Sequence, residues 1–205
     1  MELMNPVQRR IHQAALRLFA KHGAIDVSIR DLANEAGVAR GTIYNNNVQD
    51  MDQLFETVAA RLSAEMHERV KKSFESITDP AHRLSNGVRF FIRRAHEEPQ
   101  WGTFIHRFAI NNAALREMFA SQATKDLLDG LAIGRYAFRQ DQLISLITLI
   151  SGAALGSMFL VLEGHRTWRE AGTDTAEFIL RALGVPAQEA RELAALELPE
   201  LSTID

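Results

Sequence analysis

Apolar residues recur with a helical period from the first dozen positions onward. Ile11, Ala14, Ala15, Leu18 and Phe19 share one helical face, and Gly23, following Lys21 and His22, is a C-terminal stop. Ser28 and Asp31 form a candidate capping box ahead of Ile29, Leu32, Ala33 and Ala36, and Gly37 ends that short second helix. A third helix is expected to begin near Ala39 and to end by Asn47. Leu54, Val58, Leu62, Met66, Val70 and Phe74 then recur every fourth residue along a much longer one. Thr78, Asp79 and Pro80 punctuate the chain, with Pro80 in the first turn of a helix running to Glu98, and Pro99 forces another boundary. Helices are predicted beyond it near 100–111, 113–130, 141–168, 174–183 and 187–197, separated by Asn111-Asn112, the Gly134 region, Gly172 and Gly184-Pro186. No segment alternates convincingly as a strand does and no repeat is found, so the expected fold class is all-α.

The run LISLITLISGAALGSMFLVL, residues 143–162, carries no charge and holds Gly152 and Gly156 in GxxxG spacing. Its length meets the minimum for a bilayer span. Ser145, Thr148, Ser151 and Ser157 dilute it, however, no aromatic belt flanks it, and the rest of the chain is amphipathic. The expectation is a central helix buried by its own domain and by a second subunit that approaches closely at the small residues, with no membrane partner.

With 46% apolar and 24% charged residues, 205 positions suffice for a proper core, and a net charge of −3 excludes coating of nucleic acid by bulk charge. The absence of cysteine excludes disulfides, thiolate nucleophiles and zinc–thiolate sites. The start MELMNPVQRR lacks the apolar core of a secretory signal, and a cytoplasmic protein is expected. Neither HERV nor HEEP is the HExxH metal signature, and there is no GxSxG elbow, phosphate-binding glycine loop or dinucleotide fingerprint. Neither an enzyme, nor a cofactor, nor a metal is therefore expected.

Two short helices about a glycine turn, packed on a first helix, are a helix-turn-helix arrangement. Across residues 9–56 the match becomes specific: Ala14-Ala15, Leu18-Phe19, Gly23, Asp31-Leu32-Ala33, Ala36-Gly37-Val38, Gly41-Thr42-Ile43-Tyr44 and Leu54-Phe55. In these positions the chain resembles the N-terminal module of the TetR family of transcriptional regulators. The resemblance implies a three-helix DNA-binding module over residues 1–50 and a larger helical ligand-binding and dimerisation domain over 51–205. It implies a recognition helix that offers Arg40, Thr42, Tyr44 and Asn45 to the major groove, where Arg40 would read guanine or grip a phosphate, Thr42 would meet a thymine methyl or a phosphate, Asn45 would read adenine and Tyr44 would hold a phosphate. Ser28 and the first-turn amides of the second helix would face the DNA backbone with Arg30 nearby, and Arg9 and Arg10 would add an N-terminal grip. Read singly, each of these residues has an ordinary role as a cap, a packing ring or a solvated side chain.

After Tyr44 the chain departs from the family pattern. Asn45, Asn46, Asn47, Val48, Gln49 and Asp50 stand where histidine, then phenylalanine, then a phosphate-gripping lysine are usual. The missing phenylalanine removes an expected anchor, Ala39 offers no cap, and Asp50 puts an anion where the DNA backbone would lie, unless it caps the long helix. The first 50 residues hold six basic and five acidic side chains, a balance of only +1.

In the C-terminal region, Phe91, Trp101, Phe104, Phe108, Met118 and Met158 are the candidates for lining a cavity, with Phe90, Phe119 and Phe159 near them in sequence. Core packing is the ordinary alternative for each. His106, Arg107, Asn111 and His165 are the candidate polar contacts. The expected function is a dimeric repressor released from a palindromic DNA operator by a small apolar effector. The competing reading is a TetR-like sensor or protein-interaction module with weakened DNA binding.

Overall fold

A computed structural model describes residues 4–23 and 26–203, and among them the chain forms ten α-helices, one 3-10 turn and no strand. The first three are α1 (Pro6–His22), α2 (Ile29–Ala36) and α3 (Arg40–Asn45). Asn5 and Gln8 form a capping box at the start of α1, spanning Pro6, whose fixed φ suits a first turn. Ser28 and Asp31 do the same for α2, as the sequence predicts. Gly37 ends α2 in the left-handed conformation at φ 62°. Ile11, Ala14, Ala15, Phe19, Leu32, Ala33 and Ile43 close the core of this module.

The long helix α4 (Met51–Ser73) connects the module to the rest of the molecule. The rest is built from α5 (Pro80–Glu97), α6 (Pro99–Phe108), α7 (Ala113–Ala132), α8 (Leu143–Leu162), α9 (Trp168–Ala182) and α10 (Ala187–Ala195); α7 packs along α4, and α6 packs on α1. α5 is the central element, in contact with α6, α7, α8, α9 and α10. One continuous apolar core runs from Ile11 in α1 to Leu198 beyond α10.

Two boundaries differ from the sequence-based expectation. The apolar helix stops at Leu162 rather than continuing to 168, because Gly164 turns left-handed at φ 72° and Thr167 with Glu170 then caps a new helix. Gly172, expected as a break, lies buried inside α9, where an added Cβ would stand 3.4 Å from Arg89 Cγ of α5. This glycine admits a neighbouring side chain; it does not end a helix.

Within the single subunit α8 is only partly covered. Ile150, Ala154, Leu155, Ser157, Met158 and Val161 face inward, yet only 28% of its most apolar window is buried within the chain. Ile144, Leu149, Phe159 and Leu160 stay exposed, and Gly152 and Gly156 have nothing within 4 Å of where a Cβ would stand. Phe178 of α9, 63% exposed, adds to the apolar surface outside the core.

Candidate DNA interface and effector cavity

Helix α3 turns Ile43 wholly inward and leaves Arg40, Tyr44 and Asn45 exposed, with Thr42 half-buried. Arg40 and Tyr44 are four residues apart and so share one face. Ala39, at the N-cap, makes no side-chain capping bond.

The three asparagines have separate roles. Asn45 is the last helical residue. Asn46 turns back so that its Nδ2 donates to the Thr42 carbonyl at 2.7 Å. Asn47 is left-handed at φ 62°; its N–H donates to the Tyr44 carbonyl, and the Val48 N–H donates to that of Ile43. This is a Schellman-type stop with asparagine in the place glycine usually takes and Val48, 6% exposed, as its apolar partner. Val48 thus supplies an anchor where the expectation was a missing phenylalanine.

Asp50 is the N-cap of α4, its carboxylate accepting the Asp52 N–H at 2.9 Å. The capping alternative raised by the sequence is the local geometry. Ser28, Arg30 and Arg40 are exposed, but the Ser28 hydroxyl is already engaged with Asp31, whose carboxyl is held below the usual range by the Ser28 side-chain and backbone bonds. A carboxylate therefore already sits at the α2 N-terminus expected to receive a phosphate. Arg10 likewise does not extend toward DNA: it donates to the carbonyls of Ala36 and Gly37 at 2.7 and 2.9 Å and ties the end of α2 to α1. Arg17 pairs with Glu35 at 2.6 Å. Arg9, Lys21, Arg30 and Arg40 make no ion pair among the described residues.

A cavity of about 40 Å³ lies between α4, α5, α7 and α8. Met66 and Val70 of α4, Phe91 of α5, Met118 and Phe119 of α7, and Ile150 of α8 give it apolar walls. Phe91 and Phe119 stack with centroids 4.4 Å apart. One edge is polar: His67 Nδ1 lies 3.1 Å from Ser121 Oγ, and Gln122 donates to Asp126 at 3.0 Å. Burial pushes the Asp126 carboxyl upward, against the opposing pull of Arg83, which pairs with it at 2.6 Å.

Of the six residues singled out as lining, Phe91 and Met118 line this cavity and four do not. Trp101 is buried beneath Arg94, whose guanidinium lies 4.5 Å from its ring centroid. Met158 is wholly buried in the core. Phe104 and Phe108 belong to an aromatic cluster around Phe55 of α4, with centroids 5.5 and 4.9 Å away, and Phe19 of α1 completes it at 5.4 Å. This cluster joins the N-terminal module to α6. The polar candidates His106, Arg107, Asn111 and His165 also lie outside the cavity lining. Arg107 reaches the carbonyls of Ala20 and Lys21 at the end of α1. His67, Ser121, Gln122 and Asp126 were missed by sequence reasoning; the only trace is the four-residue spacing of Met118, Gln122 and Asp126, which marks one face of α7. A further bond ties α7 to the connecting helix: Asn112, which caps α7, donates to both carboxylate oxygens of Glu56 on α4 at 3.0 and 2.9 Å.

A helix-turn-helix module with its reading face exposed, joined by one long helix to a helical domain with an internal apolar cavity, defines a ligand-responsive DNA-binding regulator. Residues 11–58 match the family described as bacterial regulatory proteins, tetR family, and residues 79–196 match the tetracyclin repressor-like C-terminal domain. The chain belongs to the TetR family, and it is a ligand-responsive, DNA-binding transcriptional repressor. Comparison with curated proteins gives no significant match. Among solved structures, RolR in complex with resorcinol is 28% identical, with 96% of each chain covered and a TM-score of 0.73. RolR without ligand superposes at 0.71, also with 28% identity, over 95% of this chain and 100% of that one. The fatty acid degradation regulator FadR of Bacillus halodurans shares the fold, at 16% identity, 87% and 97% coverage and a TM-score of 0.75.

Proposed function

We propose that the protein is a cytoplasmic homodimeric repressor that leaves a palindromic operator when a small hydroxylated aromatic ring enters the cavity between α4, α5, α7 and α8. The observation that carries this reading is the composition of that cavity: apolar and aromatic on most sides, with His67, Ser121, Gln122 and Asp126 gathered at one edge. Such a site accepts an apolar ring and orients its hydroxyl groups by hydrogen bonds. The resorcinol held by the 28% identical RolR is of this chemical class. A volume of about 40 Å³ holds water but not a ring, so entry must displace α4 or α7. Met66, His67 and Val70 put α4 in the wall, and the same helix starts just after the recognition helix. A ligand that binds better to the widened state shifts the protein toward it and moves the two recognition helices off the spacing of successive major grooves, about 34 Å.

On this reading Arg40, Thr42, Tyr44 and Asn45 read or grip the operator, Arg30 and Ser28 flank its backbone, and the DNA-binding and ligand-binding units divide near residue 50. The open face of α8, with Gly152 and Gly156, meets its counterpart in the second subunit. The test begins with an operator selected from random DNA at low salt. Resorcinol and related phenols should then release the wild-type protein, whereas Ala123→Phe, which fills the cavity, should bind the operator and not respond. Arg40→Ala should relax preference at one base position by roughly 1 to 3 kcal/mol. Binding of phenols with no change in DNA affinity would refute the coupling, and absence of any selected sequence would favour a sensor that no longer reads DNA.

A further inference from the structure

A second cleft, of about 370 Å³, opens where the DNA-binding module meets α4, between α1, the turn that follows α3, and α4 itself. Its polar lining is Gln8 and His12 of α1, Asn46 and Asn47 of the turn, and Gln53, Thr57 and Arg61 of α4, set against apolar residues that include Ile11 and Leu54. Among the described residues no aspartate or glutamate lines the cleft. Arg61 is half-buried and makes neither an ion pair nor a hydrogen bond among the described residues. His12, beside it, also lacks a hydrogen-bond partner there, and burial together with the Arg61 charge pushes its pKa down to about 4. The ring is neutral at pH 7. Among the described residues the cleft thus holds one cation with no opposite charge beside it, and side-chain amides around it. Gln8 uses its Oε1 on the Asn5 N–H, which leaves its NH2 group to donate.

We propose that this cleft binds a small anion, a carboxylate or a phosphate, with Arg61 as the ion-pair partner, and that its occupancy acts on the recognition helix. A guanidinium beside amide donors matches the planar, bidentate geometry of a carboxylate or phosphate oxygen pair. The link to α3 is direct. Asn46, Asn47 and Val48 are wall residues of the cleft, and the same residues make the turn that ends α3. An anion drawn toward Arg61 therefore meets the backbone that fixes the pitch of Arg40 and Tyr44. Operator phosphate is the other source of this chemistry, but Arg61 lies ten residues into α4, roughly 15 Å along the helix from its start at 1.5 Å per residue. This sets Arg61 well back from the end of α4 that follows the recognition helix and favours a free anion. The site is separate from the effector cavity and does not depend on the ligand proposed for it.

The experiment uses full-length protein, first without DNA and then with operator DNA added. Acetate, benzoate and inorganic phosphate are titrated at constant ionic strength and neutral pH, and the Arg61 Nε–H and Asn47 amide signals are followed by NMR. The proposal expects at least one anion to give saturable shifts in the millimolar range while the Gln122 side-chain signals of the effector cavity stay in place. Arg61→Gln should weaken the binding by on the order of tenfold, Arg61→Lys should retain part of it, and the same anion should change operator affinity in the wild type but not in Arg61→Gln. Shifts that never saturate, or that survive Arg61→Gln in a folded protein, overturn the site. Shifts at Arg61 that appear only with operator DNA assign the cleft to the DNA backbone and overturn the free-anion reading.

Discussion

Asn47 offers a sharp test of how the recognition helix is held. It is the only non-glycine residue with positive φ among those described, at 62°. An ordinary L-residue pays roughly 1–2 kcal/mol in that conformation, whereas asparagine tolerates it and glycine enters it freely. Asn47→Val should therefore cost about 2 kcal/mol, since a β-branched side chain suits the left-handed region least. Asn47→Ala should cost about 1 kcal/mol. In Asn47→Gly the relief of residual strain opposes the added entropy of the unfolded chain, and the net change should be within about 0.5 kcal/mol. Helix α3 has only six residues and no side-chain cap at its start, so this turn is the main local restraint on its end. If the strain is released by local fraying of α3, 1.4 kcal/mol of it lowers the docked population and the operator affinity about tenfold. Urea unfolding gives the global stability, amide exchange at Asn46 to Val48 gives the local opening, and fluorescence anisotropy with operator DNA gives the affinity. A Val variant as stable as the parent with a Gly variant clearly less stable would refute the argument, because steric preference at φ 62° would then not govern the site.

The remaining predictions follow from single contacts. Gly152→Leu with Gly156→Leu should convert a dimer to a monomer in light scattering while leaving the helical CD signal intact, because nothing in the subunit stands within 4 Å of either Cβ position; persistence of the dimer would move the interface away from this face. His12, with a folded pKa of about 4 against an ordinary 6.5, makes the unfolded chain bind more protons between these values, so this group lowers stability as pH falls from about 6.5 to about 4 and contributes no slope above. Allowing for the ring's partial exposure, the loss should be on the order of 2 kcal/mol at pH 4, and His12→Gln should flatten that part of the urea-derived stability profile. Asp50→Lys should lose about 0.5 to 2 kcal/mol of stability with the α4 cap. Its affinity for operator and random DNA alike should rise and its salt slope steepen by about 0.9, unless residue 50 stands away from phosphate.

The parts of the fold that the sequence made legible are those decided by neighbours a few residues apart. The Ser28–Asp31 box, the Gly37 stop, the Asp79-Pro80 start of α5 and the cap at Asp50 all rest on bonds spanning two to four residues, and each is present. Gly172 illustrates where local reading fails. Glycine is a helix breaker by propensity, but packing against Arg89 of a helix some eighty residues earlier decides its place inside α9. The aromatic residues fail for a related reason. Period marks Phe104 and Phe108 as inward-facing, which they largely are, but it cannot say whether the neighbour is a cavity or Phe55. His67 and Asp126 carry no such mark, because polar residues become a cavity edge only when α4 and α7 are brought together.

The weak charge balance of the DNA-binding module changes meaning for the same reason. A count of +1 treats all eleven charges of the first 50 residues as equal. In the fold, Arg10 is consumed by the end of α2 and Arg17 by Glu35, while the carboxylates of Asp31 and Asp50 accept bonds at the first turns of α2 and α4. Those two acids offset the positive helix ends that would otherwise attract phosphate. Non-specific attraction then falls to a few exposed cations, Arg9, Arg30 and Arg40 among them, and the affinity for random DNA should be low even if base contacts are good. For a repressor this is a route to discrimination: with little backbone affinity, the base contacts proposed for Arg40, Thr42, Tyr44 and Asn45 would account for a larger share of the binding free energy, and one mismatched base pair, at roughly 1–3 kcal/mol, would remove a larger fraction of it.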